Sequence, residues 1–255
     1  NIPWDLKSLT KNHLKHNFIL YSMEKNNNKA TTINNRMKTY KSFWKFLCDE
    51  GYLTTNITAS IEKLREKKLV IVTLDESEIQ AMFKACNLKT FTGVRDLTIM
   101  KTLLDTGMRL KELVLLKIED ILFRDNLILV DGKGLKERVV PLSPELKKAL
   151  KEYLAVRGEP ITNALFITLE HETINRRTVQ DRLKYIAKKA GVTKQTSPHI
   201  WRHTFAKLYV LNGGDPFTLK KILGHSDWGM VHRYVDMFST EVQKQHGKSS
   251  PLKNL

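Results

Sequence analysis

The chain of 255 residues is long enough for one large domain or two smaller ones, and 43 Lys and Arg against 27 Asp and Glu leave a formal charge of +16. Such an excess points to a polyanionic partner, although alone it suits a ribosomal protein, an RNA binder or a membrane-surface protein as well as a DNA-binding one. Cys48 and Cys86 form no CxxC pair and the histidines lack metal-ligand spacing, so neither a disulfide framework nor a structural zinc is indicated, and no apolar run approaches a membrane span.

No signal peptide opens the sequence, and a reducing cytoplasm is the expected compartment. The chain begins with Asn1 rather than Met, so residues ahead of it are expected to be missing. Residues 1–69 carry 13 Lys and Arg against 6 acids, or +7, which leaves +9 for the remainder. Both halves are therefore basic.

Residues 1 to 68 read as helices separated by polar breaks. Leu6 to Met23 is helix-like, and the Asn26-Asn27-Asn28 run with Lys29 is a loop. Thr31 or Thr32 is expected to cap a helix on which Ile33, Met37, Tyr40, Phe43, Trp44 and Leu47 keep a 3.6-residue period. Its other face carries Asn35, Arg36, Lys38, Lys41 and Lys45, and Gly51 ends it. Read alone, that face is a solvated amphipathic surface. Ile57 to Lys68 is charged, with few large apolar residues, and its end is read as a linker. The expected division is thus 1–68 and 69–255.

After the linker, LVIVTLDESEIQAMFKA switches to an extended apolar run and then a helix opened by Thr73 or Asp75, with acids in its first turn. Arg95 to Thr106 is a mostly apolar helix that should be buried. Gly107 breaks it, and Arg109 opens the next helix with Glu112 one turn on. Leu127 to Leu142 reads as two β-rich runs around the Gly-rich turn that holds Lys133. Ser143 and Pro144 start a helix to about Val156, and Thr173 to Ala190 forms another, with Val179, Leu183, Ile186 and Ala187 inward and Arg176, Arg177 and Arg182 elsewhere on it.

The stretch Ser197 to Tyr234 holds His199 and Arg202, three apart and so on one helix face, then His225 in LGH and Tyr234 nine residues later. His203 follows Arg202 directly and is read as structural. Two imidazoles, an arginine and a phenol brought together could hold a phosphodiester while the phenol attacks it, provided preplaced donors stabilise the charge developing on phosphorus. Arg109 and Lys133 can supply further cations.

The segments TGMRLKEL, GKGLKERVVPL, HIWRHTFA and LGHSDWGMVHRY, in this order and close to this spacing, resemble the tyrosine recombinase family of phage integrases, Xer and Cre proteins, over about Thr31 to Tyr234. The resemblance implies a fold that is mainly α with a small β-sheet, an α+β catalytic domain preceded by a small all-helical DNA-binding domain that here looks short at its start. It implies that Arg109 grips the scissile phosphate, oriented by Glu112, and that Lys133 protonates the leaving 5′ oxygen, with Lys136 as the rival for that role. It assigns His199, Arg202 and His225 to the phosphate and its protons, and makes Tyr234 the nucleophile. Lys38 and Lys41 become expected DNA contacts of the first domain, and Arg176, Arg177 and Arg182 of the second.

The same resemblance implies no metal and no cofactor, because fixed cationic groups supply the charge. It implies a double-stranded DNA recombination site as partner and a homotetramer on DNA, with the tail EVQKQHGKSSPLKNL available to dock on a neighbouring protomer. An accessory DNA-binding protein is compatible with it, and no membrane is involved. Two other readings stand beside it: a type IB topoisomerase, which uses a similar residue set, and a non-catalytic DNA-binding accessory protein.

Overall fold

The computed structural model describes residues 5–66, 71–131, 137–159 and 162–224. The chain divides into two compact units, Asn1–Val70 and Ile71–Leu255. Lys133, His225, Tyr234 and the tail lie outside the described residues.

The first unit is helical. Thr10 and His13 make reciprocal capping bonds at the start of α1 (Lys11–His13), which runs through a π-helical stretch, Leu14–Leu20, into α2 (Tyr21–Glu24). The helix-like stretch expected from Leu6 to Met23 opens with a 3-10 turn, Leu6–Ser8, and is continuous from Lys11, where the Thr10 hydroxyl accepts from the His13 N–H. The long helix α3 (Ala30–Asp49) buries Ile33, Met37, Trp44 and Leu47 on one stripe. Ile33 and Met37 pack with Leu14, Ile19 and Ile61, and Phe18 meets Tyr40 edge-on at 4.8 Å.

Two expectations for α3 are corrected. Its cap position is Lys29, without a side-chain bond, and Thr31 and Thr32 fall inside the first turn. Phe43 is exposed rather than buried, because at roughly 100° per residue it sits about a quarter turn from the centre of the Ile33–Met37–Trp44 stripe.

Residues 61–66 are irregular but held to α3. The buried amide of Asn34 donates to Leu64 O and accepts from Leu64 N, both at 2.9 Å, and also reaches Glu66 Oε1 at 2.7 Å. Lys41 Nζ donates to Ile61 O at 2.6 Å.

The second unit has seven α-helices among its described residues. Helix α4 (Glu76–Lys84) opens with a capping box between Asp75 and Glu78, at 3.0 and 2.9 Å. Helix α5 (Phe91–Thr106) is central. Ile99, Met100 and Leu103 are buried, and its threonines are tolerated there because Thr98, Thr102 and Thr106 return their hydroxyls to carbonyls four residues back at 2.8, 2.8 and 2.6 Å. Gly107 ends the helix in the left-handed region, and the short α6 (Leu110–Leu115) follows at once.

Strands β1 (Ile121–Leu122), β2 (Leu127–Asp131) and β3 (Glu137–Pro141) form an antiparallel sheet in sequential order. Sequence pattern foresees the last two. The first is two residues long and exists only by pairing with β2. Register sets Ile128 opposite Val140 and Val130 opposite Arg138, so Arg138 shares the face of the buried residues Ile128, Val130 and Val140, while Val139 points out.

Ser143 caps α7 (Pro144–Arg157), with Pro144 in its first turn. Asn175 caps α8 (Arg176–Lys189), three residues after the expected start, because Thr173 is in an isolated bridge with Ile167. Val179, Leu183, Ile186 and Ala187 are buried as the periodicity predicts. Helices α9 (Pro198–Leu211) and α10 (Pro216–Leu223) complete the core with Trp201, Phe205, Leu219 and Leu223, and Gly224 ends α10 in the left-handed conformation. No helix among the described residues is long and apolar enough to cross a membrane.

Candidate active site

Three arginines from three separate segments converge on the C-terminal turn of α10. Helix ends leave their last carbonyls without partners and carry partial negative charge, so cationic donors are favoured there. Arg138 Nε donates to Ile222 O at 2.8 Å, Arg202 Nη2 to Leu223 O at 2.8 Å, and Arg109 Nη2 approaches Gly224 O at 3.5 Å. His225 is the next residue in the chain.

Arg202 is buried in α9 and also donates through Nη1 to Gly107 O at 2.6 Å. Its guanidinium thus ties the turn before Arg109 to the end of α10. His199, one turn earlier on α9, is exposed. The helix places both residues along one side, with the imidazole reaching solvent and the guanidinium inside. Trp201, between them in sequence, is fully buried and stacks on Phe83 at 6.3 Å.

Arg109 occupies the cap position of α6. Glu112 reaches back to it twice: Oε2 accepts from the backbone N–H of Arg109 at 2.7 Å, and Oε1 accepts from Nη1 at 2.9 Å. The Arg109 side chain is 39% exposed and that of Glu112 only 7%, so the pair presents the cation and hides the anion. Burial by itself would raise the Glu112 pKa. Hydrogen bonds and charge from Arg138, with the N–H of Arg109, outweigh it and hold the carboxyl below the usual range.

Sequence reasoning missed Arg138. Its fork grips both Glu112 oxygens, Nη1 to Oε1 at 2.9 Å and Nη2 to Oε2 at 2.8 Å. Together with Arg109 it fills both carboxylate oxygens twice. The signal was present in ERVVP, where alternation places Arg138 in phase with Val140, but the neighbouring Val139 masks which of the two valines faces inward.

The other basic residues divide. Lys38 is exposed, whereas Lys41 is engaged with the Ile61 carbonyl inside its own unit. Arg176 is exposed at the start of α8, and Arg177 makes a solvent-facing pair with Asp181 at 3.4 Å. Arg182 is drawn inward, donating to the buried Asp96 at 2.7 Å and stacking over Tyr185 at 4.8 Å. No group of three His, Cys, Asp or Glu among the described residues is arranged to hold a metal ion.

Residues 72–241 match the phage integrase family. The chain is 31% identical over 220 residues to tyrosine recombinase XerD of Staphylococcus saprophyticus, covering 84% of this chain and 75% of the relative. It is 30% identical over 230 residues to tyrosine recombinase XerC of Thermodesulfovibrio yellowstonii, covering 87% and 76%. Among solved structures it resembles XerA recombinase, with 26% identity, a TM-score of 0.61 and coverage of 97% and 85%. It shares its fold with XerH site-specific recombinase bound to a palindromic difH substrate, at 20% identity, a TM-score of 0.78 and coverage of 98% and 74%. With a family match over most of its length and relatives of this similarity, the chain belongs to the phage integrase family and is a tyrosine recombinase, an enzyme that breaks and rejoins DNA strands at specific sites.

Proposed function

We propose that the chain exchanges DNA strands through a 3′-phosphotyrosyl intermediate formed on Tyr234. The phenolic oxygen attacks a DNA phosphorus, the bond from phosphorus to the 5′ oxygen breaks, and that oxygen leaves as a hydroxyl after receiving a proton from Lys133. Attack by the 5′ hydroxyl of a partner strand reverses the step, so bond energy is retained and no nucleotide is consumed. Arg109 and Arg202 hold the non-bridging oxygens, and His199 and His225 carry protons to and from the tyrosine and the phosphate.

The observation that carries this reading is the approach of Arg109 and Arg202 to neighbouring carbonyls at the end of α10. They are far apart in sequence, yet both reach the turn from which His225 and then Tyr234 follow. Fixed donors of this kind stabilise a developing oxyanion without reorganisation.

Residues 71–255 would form the catalytic domain and 1–70 a DNA-binding domain, with Lys38, Arg176 and Arg177 on phosphates. Arg182 and Lys41 would support the surfaces that carry them. Two sites bound by four protomers, each cutting one strand, fit a mechanism with one tyrosine per protomer, and the tail after Tyr234 would link neighbours. The task is integration or excision of a mobile element, or resolution of cointegrates or dimers, in the cytoplasm.

The test is a two-site substrate carrying the DNA sequence that the full chain selects from a randomised duplex library. Wild type should yield exchanged products, and Arg202→Lys should lower the cleavage rate about a hundred- to a thousandfold. Relaxation of supercoils without exchange would replace this reading with a topoisomerase.

A further inference from the structure

Arg138 stands where three segments of the site meet, and nothing in the proposed chemistry uses it. It lies in β3, five residues after Lys133. Its Nη1 and Nη2 fix Glu112, which in turn fixes the backbone and the guanidinium of Arg109. Its Nε fixes the Ile222 carbonyl, three residues before His225. Gly224 is packed against the same side chain: a Cβ there would sit 3.0 Å from Arg138 Cδ and 3.2 Å from Nε.

Burial separates the two guanidinium groups that share Glu112. The Arg138 side chain is 12% exposed with three of its N–H groups committed, while that of Arg109 is 39% exposed and meets Glu112 through one of its two terminal nitrogens. One arginine is therefore available to a phosphate and the other stands behind it. Arg109 meets the two carboxylate oxygens with its backbone N–H and one terminal nitrogen, and the Arg138 fork adds a second donor to each, which fixes the carboxylate against rotation about its Cγ–Cδ bond.

From this geometry we infer that Arg138 is a positioning residue of the recombinase site. It presets the Arg109 guanidinium through Glu112. The inference rests on the phosphotyrosyl reading of the site. A lysine can reach one acceptor with a point charge but cannot fork across two carboxylate oxygens and a carbonyl, so Arg138→Lys should mimic the charge and lose the orientation.

The probe is a nicked duplex carrying the sequence selected by the full chain, on which cleavage traps the covalent adduct. Rates are measured in single turnover at saturating DNA and normalised to the fraction of protein that binds the duplex. Wild type should form adduct, and Arg138→Lys should bind with unchanged affinity but cleave on the order of tenfold to a hundredfold more slowly, the scale of effect expected from a small misplacement of a catalytic group. In a Glu112→Gln background most of that loss should vanish, because the two residues act through one contact.

If the wild-type protein forms no adduct, the phosphotyrosyl reading itself fails. If wild type reacts and the bound fraction of Arg138→Lys cleaves at the same rate, Arg138 merely supports the fold and the positioning role is overturned. Losses that multiply independently in the double variant overturn it too, since they would mean that Arg138 acts apart from Glu112.

Discussion

Glu112 carries more of the candidate site than any other single residue described. It is a buried carboxylate between two guanidinium groups, and the Arg138 half of the arrangement is the better shielded. Its folded pKa is depressed, so the unfolded chain binds the proton more readily and stability rises with pH across the interval between the two values. The contribution is complete above the unfolded value, about 4.3, and is lost as pH falls through the depressed folded value. Glu112→Gln should cost about 1–3 kcal/mol, chiefly from the stranded Arg138. In urea denaturation series at several pH values, the gap between wild type and this variant should stay constant from neutrality to mild acid and close at lower pH. A gap that grew on acidification would contradict the pairing.

At the scale of elements, the site depends on helix ends meeting. Gly107 lets α5 stop and α6 begin within a few residues, and its carbonyl serves Arg202. Its φ is +58°, and a Cβ would lie 2.2 Å from the Phe205 ring and 2.9 Å from Leu223 Cδ2. Gly107→Ala should therefore destabilise the protein by about 3 kcal/mol, combining the left-handed penalty with a clash against a buried ring. Thermal unfolding would measure it, and a loss below about 1 kcal/mol would show that the ring yields freely. Helices with local punctuation were legible in the sequence: Asp75 and Glu78 before α4, Ser143 and Pro144 before α7, Gly107 between α5 and α6. Others were not. β1 exists only through its pairing, and the partners of Arg138 and Arg182 are 26 and 86 residues away, where no local pattern reaches them. Helical periodicity reports which face Lys41 is on, not that its Nζ bonds the Ile61 carbonyl where residues 61–66 return to α3.

At the scale of the whole molecule, a charge of +16 spread over both units sets how DNA should be held. Each phosphate neutralised contributes roughly 0.9 to the slope of log affinity against log salt, and that term is largely indifferent to sequence. Lys38→Ala or Arg176→Ala should weaken binding evenly across target and non-target duplexes and flatten the slope by about one unit. A change in target preference with an unaltered slope would assign these residues to base contacts instead. The catalytic residues would behave differently, since Arg109 and Arg202 make few long-range contributions beside so many other cations. The family and its fold could be read from four short segments, because those segments hold residues whose chemistry restricts what can replace them. The support around them, above all Arg138, became visible only once the chain was folded.

The most direct test is to trap the protein on a nicked duplex of its selected site, digest the adduct and identify the peptide that carries the nucleotide. The account predicts that the modified peptide contains Tyr234 joined to a 3′ phosphate. It also predicts that Tyr234→Phe binds the duplex as tightly as wild type and forms no adduct. Attachment through any other residue, or an undiminished adduct with Tyr234→Phe, would contradict it.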